Sequence, residues 1–344
     1  MINLVQFPGL GLSLHINRVA ISLGGFNIYW YGIILAAGLM GGLLFAFRYG
    51  PDFGIDTDRM VDVVVIGTVM AIVCARVYYV AMAPFQYQSL WEMIDLRNGG
   101  IAIYGALIGA FVFGGLACKW RKIPLLQMFD LVAMGFLIGQ GIGRWGNFVN
   151  QEAFGCNTTL PWGMYSEATQ SYLAANAASL AAQGMTVDPT MPVHPTFLYE
   201  SLWCFAGLFM LFRFMKKRCF HGEIFLLYAV WYGCGRFWIE GLRTDSLMLS
   251  AALNLRASQL VAAVSVIAAL ALEIHFRRIY RKAPMMVNLA VADLNAYAKA
   301  FPDGVCAKAL PASASHAEFV QKTKEWNREI QEKAKSADSA QVEE

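Results

Sequence analysis

The sequence predicts an all-α membrane protein with seven transmembrane helices, a small external cap and a cytoplasmic C-terminal tail. Three observations lead there. Of 344 residues, 57% are hydrophobic and only 15% charged, with a positive mean hydropathy, which is more apolar surface than a water-soluble core buries. Seven stretches approach the length of about 20 mostly apolar residues that crosses the hydrocarbon of a bilayer. Basic residues then fall in alternate connections, as the positive-inside bias requires.

The first 28 residues precede the first span. They have no basic n-region and are broken by Pro8, Gly9 and Gly11, so they read as an interfacial segment and not as a cleavable signal peptide. The spans are placed at 29–47, 60–83, 101–118, 125–142, 197–215, 224–240 and 257–275, within a membrane domain of 29–280. Several carry glycines, which membrane helices use for close packing.

The connections after spans one, three and five hold Arg48 with Arg59, then Lys119 with Arg121 and Lys122, then Arg213 with Lys216, Lys217 and Arg218. Arg277, Arg278, Arg281 and Lys282 follow span seven. Placing these four ends in the cytoplasm puts the N-terminus outside and the tail inside. The connection 145–196 contains no Lys or Arg, as a translocated loop should, and is long enough to form the cap. The tail 281–344 balances nine basic against nine acidic residues and reads as a surface helix or a disordered segment.

Composition also excludes. A net charge of +3 without a basic, aromatic-interleaved stripe gives no nucleic-acid partner. The seven cysteines are scattered and form no pair or cluster with metal-ligand spacing, so neither a metal nor another cofactor is expected. An anion transporter would place polar groups near the midplane and in both leaflets, with paired interrupted segments in the two halves. Here the polar groups crowd one side, apart from Asp62 and Asp130, which read as partners for cytoplasmic basic residues. A scaffold would carry the glycines without converging arginines.

The polar groups on that side are unusual for their place. Arg76, Arg97, Arg144, Arg236 and Arg243 all sit at outer ends of spans, against the positive-inside bias. Such arginines face a partner, a wet cavity or an anion. Tyr232, Arg236, Glu240 and Arg243, spaced by four, four and three, form one helical stripe. It serves as an internal ion-pair ladder, with Glu240 bridging two arginines, or it leaves guanidinium capacity for a phosphate, which the planar fork binds in bidentate fashion.

Arg144, Asn147, Asn150 and Glu152 gather in GRWGNFVNQE at 143–152. The glycines at 141, 143, 146 and 155 suggest an irregular segment whose amides approach a ligand, the alternative being a glycine-rich helix end with capping asparagines. HPTFLYES at 194–201 opens span five. His194 there is a structural histidine or a base, and Glu200 an ion-pair partner or a proton acceptor. Tyr104, Tyr29, Trp30 and Tyr31 stand where interfacial aromatics collect.

The run GRWGNFVNQEAFG at 143–155 resembles the signature of the bacterial prolipoprotein diacylglyceryl transferase family at every position of Gly-Arg-x-Gly-Asn-Phe-x-Asn-x-Glu-x-x-Gly. WYG at 30–32, HPTFLYES at 194–201 and RFxxExxR at 236–243 extend the resemblance over roughly 25–275. It implies an enzyme at the outer face of the bacterial plasma membrane, with phosphatidylglycerol and the lipobox cysteine of a prolipoprotein signal peptide as partners among the membrane lipids. The product is a thioether, and glycerol phosphate is released.

Carried over residue by residue, Tyr31, Arg144, Asn147, Glu152, Gly155, Tyr232, Arg236, Glu240 and Arg243 match positions that the family uses for activity or lipid binding. Asn150 joins them as a ligand for glyceryl or phosphate oxygens. The chain departs from the family at Tyr104-Gly105, where many members have His-Gly. The expected catalytic set is therefore Arg144, Arg236, Tyr104, Glu152 and His194. Arg144 and Arg236, helped by Arg243, bind the phosphate, Glu152 and Glu240 position arginines, and His194 or Glu152 accepts the proton. Tyr104 orients a ligand, because a phenol with a pKa near 10 is a poor base for a thiol near 8.5.

Overall fold

The computed structural model describes residues 2–24, 26–83, 87, 89–95, 99–218, 220–244, 248–250 and 255–280. The tail 281–344 and Arg97 lie outside the described residues. In chain order the elements are β1 (Ile2–Phe7), β2 (Leu12–Asn17), β3 (Val19–Leu23), β4 (Phe26–Tyr29), α1 (Trp30–Tyr49), α2 (Thr57–Met82), α3 (Leu90–Ile94), α4 (Ile103–Trp120), α5 (Leu125–Asn150), β5 (Tyr165–Ser166), α6 (Glu167–Ala182), α7 (Thr196–Phe214), α8 (Glu223–Leu242), β6 (Met248–Ser250), β7 (Leu255–Arg256) and α9 (Ala257–Tyr280).

Six of the described helices, α1, α2, α4, α5, α7 and α9, are long and apolar enough to cross a membrane, which makes this a mostly helical, multi-pass membrane protein. Their outward faces carry the apolar side chains that lipid requires. Val65, Val69, Val73 and Val77 form one exposed stripe along α2. The expected seventh span exists as a 20-residue helix, α8, but it is not among the six. Tyr232, Arg236 and Glu240 interrupt its apolar character with the stripe read from spacing.

The described chain forms two compact units, one from residues up to 46 and from 132 onward, the other from 47–131. In the first, α1 and α5 approach along paired glycines. A β-carbon on Gly38 would lie 3.1 Å from the Gly139 carbonyl oxygen, and one on Gly42 3.2 Å from that of Gly135. This is the small-xxx-small contact that lets membrane helices pack by dispersion. Helices α7 and α8 are clasped by two tryptophans. Trp203 Nε1 donates to the Trp231 carbonyl and Trp231 Nε1 to that of Trp203, each at 2.9 Å, with the rings stacked 4.4 Å apart. Gly207 and Gly235 supply the space under each indole.

The N-terminal segment is not simply interfacial. β1 pairs antiparallel with β2 and with β5 from the 145–196 connection, so the two regions build one small subdomain with α6. Its core is Val5, Phe7, Phe154, Met164, Leu173, Leu180, Val193 and Phe197. β1 alternates as a half-buried strand should, with Val5 and Phe7 inward and Leu4 outward. The Ser166 hydroxyl and Thr169 form a capping box that starts α6.

In the second unit, α2 and α4 cross where Gly105 and Gly109 admit the backbone and Cys74 of α2. Arg121 pairs with Asp62 at 2.7 Å, in keeping with the reading of Asp62. Arg76 does not await an anion. Its guanidinium donates to the carbonyls of Glu92, Met93, Gly99 and Gly100 at 2.7–3.0 Å, and so organises the segment leading to α4. Tyr104, in the first turn of α4, is two-thirds exposed and tilts against Tyr78.

Candidate active site

The site in the first unit is assembled around a carboxylate. Glu200, one turn into α7, is buried, with 3% of its surface exposed. Its Oε2 accepts Arg144 Nη2 of α5 at 2.9 Å and Arg236 Nη1 of α8 at 3.3 Å, and its Oε1 lies 3.8 Å from Arg243 Nη1. The second terminal nitrogen of Arg236 pairs with Glu240 one turn on. The ladder expected from spacing is real in part: Glu240 holds Arg236, while the residue that bridges the arginines is Glu200, from another helix. Among the described residues, Arg144, Arg236 and Arg243 converge on Glu200, and Arg236 also on Glu240, in a setting where such pairs are screened less than at the surface.

A polar relay leads away from this cluster. Arg144 Nη1 donates to Asn147 Oδ1 at 3.4 Å, and Asn147 Nδ2 and Asn150 Nδ2 donate to Glu152 Oε1 at 3.0 and 3.4 Å. Glu152, expected to position arginines, is held by the two asparagines and reaches Arg144 through Asn147. Helix α5 continues regularly to Asn150, eight residues past the expected end, so Gly141, Gly143 and Gly146 are helical. Arg144 had marked the boundary because its charge ends the apolar run, yet Glu200 neutralises that charge within the helix.

The irregular part is Gln151–Ala153. Gln151 and Ala153 both adopt left-handed φ of 55°, uncommon for residues other than glycine. Thr196 Oγ1 donates to the Ala153 carbonyl, and the Glu152 amide donates to Asn147 O at 3.1 Å. These bonds fix the turn that presents Glu152.

Gly155 and Gly146 are spacers. A β-carbon on Gly155 would lie 2.7 Å from His194 Cβ and 3.1 Å from the Leu242 carbonyl oxygen. Its amide donates to His194 O at 2.9 Å and it bridges to Arg243, which brings the 153–156, 194 and 242–243 segments together. A β-carbon on Gly146 would meet the Tyr31 ring at 2.8 Å, so glycine there admits Tyr31 of α1. Tyr232 stacks on Tyr228, with the rings 5.7 Å apart. His194 Nδ1 lies 3.1 Å from Tyr199 Oη, which also accepts from Trp162 Nε1 at 2.8 Å. Partial burial holds the imidazole below its ordinary pKa of 6.5.

Beside the relay is a cavity of about 1060 Å³ whose lining includes Tyr31, Asn150 and Glu152, Tyr172 of α6 and Arg18. Arg18, just before β3, was missed from sequence. It donates from Nη2 to the Asn150 carbonyl at 2.6 Å, capping the C-terminus of α5. The signal was available, since on the orientation expected from the basic connections Arg18 also opposes the positive-inside bias.

A family model described as prolipoprotein diacylglyceryl transferase matches residues 18–275. The chain belongs to this family. Among its relatives, the phosphatidylglycerol--prolipoprotein diacylglyceryl transferase of Bacillus cytotoxicus is 44% identical over 242 residues, covering 70% of this chain and 86% of the relative. Proteins of the same name from Bacillus cereus strain Q1 and Bacillus anthracis strain CDC 684 are each 45% identical over the same length and coverage. The family match covers both arms of the arginine cluster and the Asn147–Glu152 relay. It stops short of the tail.

Of the residues expected to act, Arg144, Arg236, Arg243, Glu240, Asn147, Asn150 and Glu152 are linked by ion pairs and hydrogen bonds, directly or through Glu200. Tyr31 reaches the same cavity as Glu152, and Gly155 joins His194 to Arg243 through the backbone. Tyr104 belongs to the other unit.

Proposed function

We propose that the protein transfers the diacylglyceryl group of phosphatidylglycerol to the lipobox cysteine of prolipoproteins, the first step of bacterial lipoprotein modification. The observation that carries the chemistry is the convergence of Arg144, Arg236 and Arg243 on the buried Glu200. The sulfur–carbon bond to the glyceryl group forms as the carbon–oxygen bond to phosphate breaks, glycerol phosphate leaves, and the thiol proton passes to His194 or Glu152. A thiol at pH 7 is only a few per cent ionised, so the positive field that offsets charge on the leaving phosphate also favours the thiolate.

Each residue then has a task. Arg144 and Arg236 hold the phosphate with help from Arg243, and Glu200 and Glu240 fix the planes of their guanidinium forks. Asn147, Asn150 and Tyr31 line the path of the headgroup, with Tyr232 beside the cluster. A neutral His194 is the protonation state that an acceptor needs. Tyr104 orients a ligand. The chain is placed in the plasma membrane with seven spans, α8 included, the N-terminus outside, the tail in the cytoplasm and the subdomain of β1, β2, β5 and α6 as an external cap. This orientation rests on the alternating basic connections and on the absence of Lys and Arg from 145–196.

The test is incubation of purified protein in detergent with phosphatidylglycerol and a lipobox peptide, read by mass. The peptide should gain one diacylglyceryl group on cysteine, and a peptide with serine in that place should gain none. No product from folded protein with several lipids and peptides would overturn the reading.

A further inference from the structure

Arg18 stands apart from the other arginines of the site. Arg144, Arg236 and Arg243 are each within ion-pair distance of a carboxylate. Arg18 has none among the described residues. It spends one Nη2 proton on the Asn150 carbonyl, while its Nε is buried without a hydrogen-bond partner. The residue as a whole is half-buried, and a guanidinium that faces no carboxylate keeps terminal donors for an anionic ligand. The space for that ligand is present, because Arg18 lines the 1060 Å³ cavity with Tyr31, Asn150 and Glu152.

We propose that Arg18 is a further substrate-binding residue, which holds a phosphate ester in this cavity: that of the phospholipid before transfer or of the glycerol phosphate after it. The proposal deepens the function given above and rests on it for the identity of the ester. Charge within the cavity is consistent with this role. The Glu152 carboxylate is engaged through Oε1 by two amides, and its Oε2, without a protein donor among the described residues, accepts a glycerol hydroxyl while Arg18 takes the anion. An ester carrying both an anion and hydroxyl groups matches that pair. The bond from Nη2 to the Asn150 carbonyl holds the guanidinium beside the cavity that Arg18 lines.

The test compares full-length wild type, Arg18→Gln and Arg18→Lys in detergent by two readouts. The first is steady-state transfer, with KM measured separately for phosphatidylglycerol and for the lipobox peptide. The second is direct calorimetric titration with glycerol phosphate, which requires no turnover. Arg18→Gln is expected to raise the KM for phosphatidylglycerol, or the Kd for glycerol phosphate, by about tenfold, the worth of one charged hydrogen bond. The peptide KM should stay unchanged, and Arg18→Lys should recover part of the loss. A change in the lipid KM assigns the site to the substrate, and a change in the Kd alone assigns it to the released ester. Equal constants in wild type and Arg18→Gln would overturn the proposal. So would a fall in kcat and thermal stability with both constants unmoved, which is what a cap on α5 alone would produce. Wild type that binds glycerol phosphate in an Arg18-dependent way yet makes no thioether would sink the transferase reading and keep the anion site.

Discussion

Glu200 Oε2 stands 2.9 Å from Arg144 Nη2, and this ion pair ties α7 to α5 inside the apolar part of the protein. The same oxygen reaches Arg236 of α8, so one buried carboxylate fixes three helices and the orientation of the guanidinium forks. A lone buried arginine would be expelled or would draw in water; three arginines sharing Glu200 are held in place.

Replacing Glu200 with Gln keeps the shape and removes the charge. Breaking a buried pair in this way costs about 3–5 kcal/mol, because the partner charges remain buried. Arg144, Arg236 and Arg243 would then repel one another, and the expected outcome is a thermal midpoint in detergent lowered by several degrees together with loss of most transfer. A Glu200→Gln protein with wild-type stability and rate would show that the hub is dispensable.

Gly155→Ala tests the backbone junction. The new methyl would sit 2.7 Å from His194 Cβ, so either the His194 segment or the bridge to Arg243 must move. Overpacking of this kind costs about 1–3 kcal/mol. Because both segments carry residues of the proposed site, kcat should fall by more than this loss of stability accounts for. Thermal melting in parallel with transfer kinetics checks the split, and an unchanged kcat would contradict it.

His194 gives a pH dependence with a definite sign. Burial disfavours its charged form, so its folded pKa lies below the unfolded value of about 6.5. Above pH 6.5 both states are neutral and the residue contributes nothing. As pH falls from 6.5 through the folded pKa, the unfolded chain binds the proton first and the folded state loses stability. The thermal midpoint should therefore drop between pH 7 and pH 5, and His194→Asn should shrink the drop. An identical drop in the variant would remove His194 as the cause.

How much of this was legible depended on whether a residue's partner was local. The long apolar helices and the Tyr232, Arg236, Glu240 stripe follow from hydropathy and from spacing along one helix; six of the seven expected spans are long and apolar enough to cross a membrane, while α5 runs past its expected end and α3 and α6 were not anticipated. Glu200 was readable as an ion-pair partner of an arginine, one of its two alternatives, but not as a hub, because its partners come from α5 and α8 and no spacing within one segment encodes that meeting. The end of α5 was placed early for the same reason, since a charge paired across helices looks like a boundary when read along one. The N-terminal strands were missed because their alternation, Leu4 out and Val5 in, is too short to stand out before β5 is known to pair with them. Arg18 carried the right signal but sat outside the motifs that drew attention.

The most direct test of the central claim, that paired guanidinium forks bind the leaving phosphate, is the transfer rate of folded Arg236→Lys protein. Lysine keeps the charge and loses the planar fork that lets Arg236 engage Glu200 and Glu240 while facing a phosphate. Transfer to the lipobox peptide should fall by about 100-fold or more, the scale of losing one preorganised donor at a developing charge, with the helical content unchanged. A wild-type rate from Arg236→Lys would contradict the account.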